Sequence, residues 1–99
     1  MKQIPLSDTP SQIVTAVLGG QNCRINVYAK ATGTFCDLYV QDKLIIGGVV
    51  CLNLVRIVRD AYLGFTGDLF FMDSQGSGDP VSPGIGSRFL LYYLEAGDL

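Results

Sequence analysis

Apolar side chains recur at every second position through much of the first forty residues. Such alternation predicts strands that bury one face and expose the other. Ser11–Leu18 and Gln21–Lys30 are the first two predicted strands, and Gly19-Gly20 between them predicts a two-residue hairpin turn. In this hairpin Val14 lies opposite Ile25, so that one face of the pair is apolar and the other is mixed.

The register of the third predicted strand, Thr34–Gln41, follows from the same pattern. A four-residue loop at 30–33 pairs Val27 with Cys36 and places apolar residues of both strands on one face, whereas a three-residue loop mixes the faces. A slip of one residue would move the whole apolar set to the wrong face, so we predict the four-residue loop. The other face then carries Arg24, Asn26, Tyr28, Phe35, Asp37 and Tyr39.

A fourth strand is predicted over Leu44–Leu52, with Leu44 opposite Val40 in the same core. Gly47-Gly48 inside this strand indicates a β-bulge or a sharp bend, as at the corner of a barrel. The next segment, Asn53–Asp60, fits one helical turn about as well as a strand, and we predict an irregular connection there.

The last two predicted strands are strongly apolar. Asp68–Asp73 places four large apolar residues between two acids, which predicts a strand buried on both faces. Ser87–Glu95 is also apolar on both faces, so we expect it to be central in a sheet or covered by a partner. Between them, residues 74–86 form a loop with four glycines and two prolines, and loops of this length are often functional.

Together these elements predict one all-β domain over residues 1–99, either a small β-barrel or a two-layer sandwich of six to seven mostly antiparallel strands. Residues 1–10 are predicted as an extended arm with a turn, and residues 96–99 as a frayed tail. A chain of this length buries roughly 65% of the surface that its unfolded form exposes, which is enough for one core without disulfides.

The low charge content argues against several classes of function. Only 16% of the residues are charged, against about 25% in an average globular domain, which favours a subunit that covers surface with partners. The net charge is −2 and the basic residues are scattered, so we expect no binding to nucleic acid or to an anionic membrane. The longest apolar stretch without charge, Leu44–Val55, is too short for a membrane-spanning helix.

The chain has three cysteines and no histidine, and its first residues lack the apolar core of a signal peptide. An odd number of cysteines in such a chain predicts reduced thiols in a cytosolic product. Without histidine, structural zinc, Cys–His catalysis and a Ser-His-Asp set are all disfavoured, and no pair of glycosidase-type carboxylates can be assembled. We therefore predict no enzyme activity and no cofactor.

The segment Asp73–Asp79 has oxygen-bearing side chains at the spacing of a calcium-binding loop. Its sixth position is the required glycine, but the twelfth is Gly84, where a bidentate glutamate is needed. We therefore predict a turn-rich loop without a metal. The glycine pairs 76/78 and 84/86 lack a phosphate-binding pattern and are expected to supply positive φ angles.

The aromatic side chains Tyr28, Phe35 and Tyr39 on the outer face suggest an alternative function. Such a row could stack bases, as in single-strand-binding barrels, so a small ligand- or oligonucleotide-binding β-barrel stays open. Only Arg24 and Lys30 lie near the row, together with an acid. We prefer side-chain packing or a protein contact, because protein interfaces also favour tyrosine, phenylalanine and arginine.

Short motifs spread over residues 4–94 resemble one family in their order and spacing. They are Ile4-Pro5-Leu6, Cys51-Leu52-Asn53, Tyr62-Leu63-Gly64-Phe65, Gly67-Asp68-Leu69, Asp73-Ser74-Gln75-Gly76, Asp79-Pro80 and Gly84-Ile85-Gly86-Ser87-Arg88. In these motifs the chain resembles the small baseplate plug proteins of contractile-tailed phages and prophages. Val81-Ser82-Pro83 departs from the family pattern, in which an aromatic-containing turn is expected.

The resemblance implies a non-enzymatic component of the tail baseplate that packs near the tail axis between tube and hub proteins and helps to close the channel. The implied partners are tail-tube, hub or spike proteins. A homo-oligomer in the assembled baseplate and a monomer in isolation are both compatible with it. The chain would be made in the bacterial host cytoplasm and then enter the virion.

We predict that the partner surface combines the 74–86 loop with the outer face of the last strand. Asp73 and Arg88 stand at the two ends of the loop and are expected to form an exposed ion pair that closes its base, with the tip mobile until assembly. The candidate partner-binding residues are Asp73, Gln75, Gly76, Asp79, Pro80, Arg88 and Tyr92.

Overall fold

The computed structural model describes residues 2–58, 65, 67–81 and 84–95. In these residues it contains seven strands and no helix, which confirms the predicted all-β class. The strands are β1 (Lys2–Ile4), β2 (Ser11–Leu18), β3 (Gln21–Lys30), β4 (Gly33–Val40), β5 (Lys43–Val50), β6 (Asp68–Asp73) and β7 (Phe89–Leu94).

The strands form two antiparallel sheets, in the orders β2-β3-β4-β5 and β1-β7-β6. Apolar side chains of both sheets meet in one buried cluster, to which Ile25 and Leu38 contribute from the first sheet and Leu91 and Tyr93 from the second. Of the two predicted architectures, the two-layer sandwich is therefore the one found, and the sheets do not close into a barrel.

The cross-strand registers predicted for the first three long strands are confirmed. Val14 pairs with Ile25 across the first hairpin, and Val27 pairs with Cys36 across the second. The β3–β4 ladder extends as far as the pair Lys30–Gly33. These two residues were predicted in the loop and instead end the strands, but the register is the predicted one. Buried and outward-facing residues alternate along β3 and β4 as the pattern predicts.

Strand β5 differs from the prediction in its pairing with β4. Val40 lies opposite Lys43 and not opposite Leu44, because the two-residue turn Gln41-Asp42 joins the strands, and the ladder shifts twice further along. One shift is the bulge predicted at Gly47-Gly48, where the second glycine has a φ of 65°. The other shift has no signal in the sequence. Leu44 lies on the outer face opposite Tyr39, where its side chain is 50% exposed.

After β5 the chain runs irregularly beside β6, as predicted for 53–60, although 59 and 60 lie outside the described residues. The N–H of Leu54 donates to the carbonyl oxygen of Phe71, and the N–H of Ile57 donates to that of Leu69. These bonds cover the edge of β6 that faces away from β7.

Strand β7 lies between β1 and β6 and is therefore central in its sheet, one of the two predicted alternatives. Phe89, Leu91 and Tyr93 point into the core, whereas Leu90, Tyr92 and Leu94 are half-buried on the outer face. Its neighbour β1 is formed by the start of the predicted N-terminal arm. The predicted tail, 96–99, lies outside the described residues.

The three cysteines are buried and carry free thiols, as predicted. Burial raises the pKa of the Cys23 thiol, and a hydrogen bond with Cys36, together with burial, raises the pKa of the Cys51 thiol. All three therefore behave as apolar packing residues. Within the part of the chain that the structure describes, no helix is long and apolar enough to cross a membrane.

Replacement of Gly67 by alanine is expected to destabilise the fold by more than the same change at Gly20. Both glycines have positive φ angles, 97° and 77°, at which alanine is strained by about 1–2 kcal/mol. A Cβ on Gly67 would also collide with the carbonyl oxygen of Leu94 and lie 2.7 Å from the hydroxyl of Tyr93, whereas on Gly20 it would meet no atom within 4 Å. Chemical unfolding measures both losses, and equal losses would contradict this packing.

Candidate partner-binding surface

The 74–86 loop leaves the sheet at the end of β6 and returns at the start of β7. Because these strands are neighbours, with Asp73 opposite Phe89, the two ends of the loop lie side by side. The N–H and the hydroxyl of Ser74 both donate to the carbonyl oxygen of Arg88, at 2.9 and 2.8 Å. The base of the loop is therefore closed by the backbone as well as by side chains.

The carboxylate of Asp73 organises the first half of the loop. Its Oδ1 accepts hydrogen bonds from Nε of Arg88 at 2.8 Å and from the N–H of Gln75 at 2.9 Å. Its Oδ2 accepts from Nη2 of Arg88 and from the N–H of Gly78, both at 2.8 Å. Each oxygen thus has two donors, and the two-pronged contact with the guanidinium is the strong form of such a pair.

The predicted ion pair is therefore present, but the expectation that it is exposed is wrong. The side chain of Asp73 is 0% exposed, and that of Arg88 is 42% exposed. The guanidinium of Arg88, helped by the N–H groups of Gln75 and Gly78, holds the pKa of Asp73 well below its usual range although burial acts in the opposite direction. The same bond raises the pKa of Arg88.

These donors also argue against calcium at Asp73. A cation would need carboxylate oxygens that face it, and both oxygens of Asp73 instead face a guanidinium and backbone N–H groups. Among the described residues, no group of three or more His, Cys, Asp or Glu side chains could hold a metal ion.

Glycine at positions 76 and 78 is favoured by the limited space beside the ion pair and not by a left-handed backbone conformation. Neither has a positive φ, contrary to the prediction, whereas Gly84 and Gly86 have φ angles of 126° and 86°, as predicted. A Cβ on Gly76 or Gly78 would lie 3.3 Å from Oδ2 of Asp73. The lack of a side chain at these two positions lets the loop backbone close over the carboxylate.

Asn53 connects strand β6 to the middle of the loop. Its Oδ1 accepts a hydrogen bond from the N–H of Asp73, and its own N–H donates to Oδ1 of Asp79, both at 2.9 Å. The sequence interpretation used Asn53 only as part of a family motif and gave it no role in the site. Its role depends on the irregular segment lying beside β6, which no local pattern indicates.

Two further side chains, Thr34 and Asp8, fix the second half of the loop. The buried hydroxyl of Thr34 donates to the carbonyl oxygen of Pro80 at 2.7 Å, and Oδ1 of Asp8 accepts the N–H of Gly84 at 2.9 Å. Neither was predicted, because their partners are 46 and 76 positions away in the sequence. The described part of the loop is thus held at several points and not at its base alone, which disagrees with the expectation of a tip that is mobile until assembly.

The structure brings six of the seven predicted partner-binding residues to this loop and leaves Tyr92 further along β7. Asp73 and Pro80 are buried, so a partner would contact the surface that they shape and not their side chains. Gln75, Gly76 and Asp79 are exposed, and Arg88 is half-buried. Their role in binding stays a prediction.

Tyr92 belongs to an apolar strip on the outer face of the three-stranded sheet. Its ring stacks on that of Phe70 in β6, with centroids 5.5 Å apart and planes at 21°. Leu90 and Leu94 lie on the same face of β7 and are half-buried. We name this strip, together with the exposed residues of the 74–86 loop, the loop–β7 surface.

The aromatic face of the four-stranded sheet is occupied by its own side chains. Tyr28 and Phe35 stack with ring centroids 6.1 Å apart, and the amine of Lys30 lies 5.4 and 5.6 Å from them. The guanidinium of Arg24 lies 4.3 Å from the ring centre of Tyr39. Rings that already contact cations and one another offer less face to a stacking base, which weakens the oligonucleotide alternative.

Acid is expected to unfold the wild type more steeply than an Arg88→Met variant. The pKa of Asp73 is lowered in the folded state, so its contribution to stability is complete above its unfolded pKa of about 4 and is lost as the pH falls further. Arg88→Met removes the main cause of the lowered pKa. Its melting temperature should therefore be well below that of the wild type at pH 7, with the gap closing towards pH 2.

Arg24→Met is the matched control, because Arg24 lies 3.6 Å from Asp42, whose side chain is 91% exposed. This variant should melt close to the wild type at every pH, since exposed ion pairs contribute little. A gap between wild type and Arg88→Met that stays constant from pH 7 to acid would contradict the role given to Asp73.

Comparison with known proteins agrees with the motifs in the sequence. Residues 1–96 match the protein family described as the cyanophage baseplate Pam3 plug gp18, which confirms the resemblance to baseplate plug proteins over nearly the whole chain. A search of curated proteins found no match. The chain therefore belongs to the family of the cyanophage Pam3 baseplate plug gp18.

Proposed function

We propose that this chain is a non-enzymatic structural subunit that packs near the tail axis, between tube and hub proteins, and helps to close the channel. Its family places it in the phage baseplate, and hence in the virion tail when assembled. The position on the axis and the identity of the neighbours are the proposed part. The loop–β7 surface is the region that we propose to contact them.

The main support for this proposal is that the loop already has a defined conformation in the single chain. Fixing a flexible backbone takes about 1–2 kcal/mol per residue, and a loop held by Asp73, Asn53 and Thr34 has met that requirement during folding. A preorganised surface loses less entropy on association. Such a loop suits a permanent structural contact.

The composition of the loop–β7 surface also suits a protein partner. The exposed tip, Ser74–Ser77, carries no charge, and the neighbouring strip adds Leu90, Tyr92 and Leu94. The cores of protein interfaces are depleted in charged residues and enriched in aromatic ones. The two acids of this region are both used within the chain: Asp73 is buried against Arg88, and the exposed Asp79 accepts the N–H of Asn53.

The same features support a role without catalysis, nucleic acid or membrane. The pKa of Asp73 is lowered by its hydrogen bonds with Arg88 and with the N–H groups of Gln75 and Gly78. These bonds occupy its carboxylate oxygens, so the lowered pKa does not indicate a role in proton transfer. Partners are proposed to be tail-tube, hub or spike proteins. Synthesis is proposed to take place in the host cytoplasm.

A charge-insertion experiment tests the proposed surface. A phage lacking this gene is complemented with the wild type or with the double variant Gln75→Arg/Ser77→Arg, which alters two exposed side chains and leaves the backbone bonds to Asp73 in place. The matched control is Ala31→Arg/Thr32→Arg, which adds the same charge to the exposed β3–β4 turn. Incorporation into purified tails and the melting temperature of each isolated protein are measured.

We expect all three proteins to melt within a few degrees of one another. The turn variant should enter tails as the wild type does, and the loop variant should be excluded or strongly depleted. If the loop variant enters tails normally, the loop is not a contact surface. If neither arginine variant affects tails and the wild type is found away from the tail axis by electron microscopy, the plug position itself is wrong.

A further inference from the structure

The two sheets have four edges, and three of them are protected against pairing with another strand. Strand β1 is only three residues long and begins with Lys2. The free edge of β6 is covered by the irregular segment, through Leu54 and Ile57. Strand β5 is distorted by two register shifts, one at Gly47-Gly48 and one at Ile45. Proteins usually block a sheet edge with a short strand, with charged residues or bulges in the strand, or with another segment that covers it.

Within the described residues, the fourth edge, β2, has none of these protections. Its eight residues pair with β3 without a register shift and include no charged residue, proline or glycine. Two of its side chains are large, apolar and open to solvent: Ile13 is 68% exposed and Val17 is 61% exposed. A long, regular and uncharged edge of this kind is a template for another strand.

The hydrogen-bonding pattern of the β2–β3 ladder shows which backbone groups of β2 point away from β3. The N–H of Ala29 donates to the carbonyl oxygen of Pro10 at 2.6 Å, which makes this a hydrogen-bonded pair of the β2–β3 ladder. Such pairs alternate along an antiparallel ladder, so the even-numbered residues of β2 bond to β3. The backbone N–H and C=O groups that face away from β3 are those of Ser11, Ile13, Thr15 and Val17, of which the carbonyl oxygen of Ser11 already accepts from the hydroxyl of Thr9.

We propose that two copies of this chain associate through β2, antiparallel, about a two-fold axis at Thr15. The two four-stranded sheets then become one sheet of eight strands. Thr15 of one copy lies opposite Thr15 of the other, and Ile13 lies opposite Val17 in both directions. This inference rests on β2 alone and does not depend on the proposed contacts of the loop–β7 surface.

The sequence of β2 favours a second copy as the occupant. In the register centred on Thr15, the three central residues whose backbones pair across the axis, Ile13, Thr15 and Val17, are β-branched, and cross-strand pairs of β-branched residues and Thr–Thr pairs are favourable. On the inner face Val14 meets Ala16. Because β2 carries no charge, its self-pairing brings no like charges together, which is the usual obstacle to pairing identical strands.

Two neighbouring registers, centred on Val14 and on Ala16, use the same backbone groups. The first places Ile13 opposite Thr15 and Val17 opposite Ser11, and the second places Val17 opposite Thr15 and Ile13 opposite Gly19, so that neither brings the two exposed apolar side chains together. The axis at Thr15 instead brings Ile13 and Val17 together and removes both from water, which is favourable.

The expected association is weak and depends on concentration. One pair of strands buries far less than the roughly 1,600 Å² of a standard stable interface. Sedimentation velocity over about a hundredfold range of concentration should show the mass of the wild type rising from monomer towards dimer by mass action.

Two double variants test the register. Ile13→Lys/Val17→Lys places lysine opposite lysine across the axis, whereas Ile13→Lys/Val17→Glu places lysine opposite glutamate. In both variants the neighbours of these side chains on β3 are uncharged, Asn26 and Asn22. The matched control is Leu44→Lys, another large apolar side chain, 50% exposed, at the opposite edge of the same sheet.

We expect the lysine–lysine variant to stay monomeric at every concentration. The lysine–glutamate variant and Leu44→Lys should both dimerise, the former with a dependence on salt concentration. Circular dichroism and melting temperature confirm that each variant is folded. The proposal is overturned if the wild type stays monomeric over the whole range, if the lysine–lysine variant dimerises like the wild type, or if both double variants are equally monomeric.

Discussion

The buried carboxylate of Asp73 is the interaction on which the 74–86 loop depends. A carboxylate is removed from water only if other donors replace the lost hydration, and here Arg88, Gln75 and Gly78 supply four hydrogen bonds. To reach those positions, the chain has to curl back over the end of β6, and the two nearby glycines make the close approach possible. The ion pair therefore shapes the loop as well as closing its base.

The loop is also tied to both layers of the sandwich. Asn53 connects it to β6, and Thr34, on the buried face of β4, connects it to the four-stranded sheet. The loop is therefore held by both layers, which suits the preformed contact surface that we propose it to be.

Much of the fold could be read from local pattern, because burial of one face fixes the register of neighbouring strands. The pairing of Val27 with Cys36 follows from the alternation alone, and the central position of β7 follows from its two apolar faces. The ion pair of Asp73 and Arg88 was foreseen from their places at the ends of one loop. Its burial was not, because burial depends on what the rest of the chain places around it.

The features that the sequence did not predict share one physical cause. The roles of Asn53, Thr34 and Asp8 come from contacts between segments that are far apart in the chain. Neither periodicity nor spacing carries information about such contacts. Gly76 and Gly78 show the same limit, because their requirement comes from the space beside a carboxylate and not from their own backbone angles.

Amide hydrogen exchange of the isolated protein tests most directly whether Asp73 shapes the loop in the free chain. Exchange slows when an N–H is held in a stable hydrogen bond. We expect the amides of Gln75 and Gly78, which donate to Asp73, to be strongly protected, and the amide of the exposed Ser77 between them to exchange fast. If all three amides exchange at the rate of an unfolded chain, the loop is not preformed and the account is wrong.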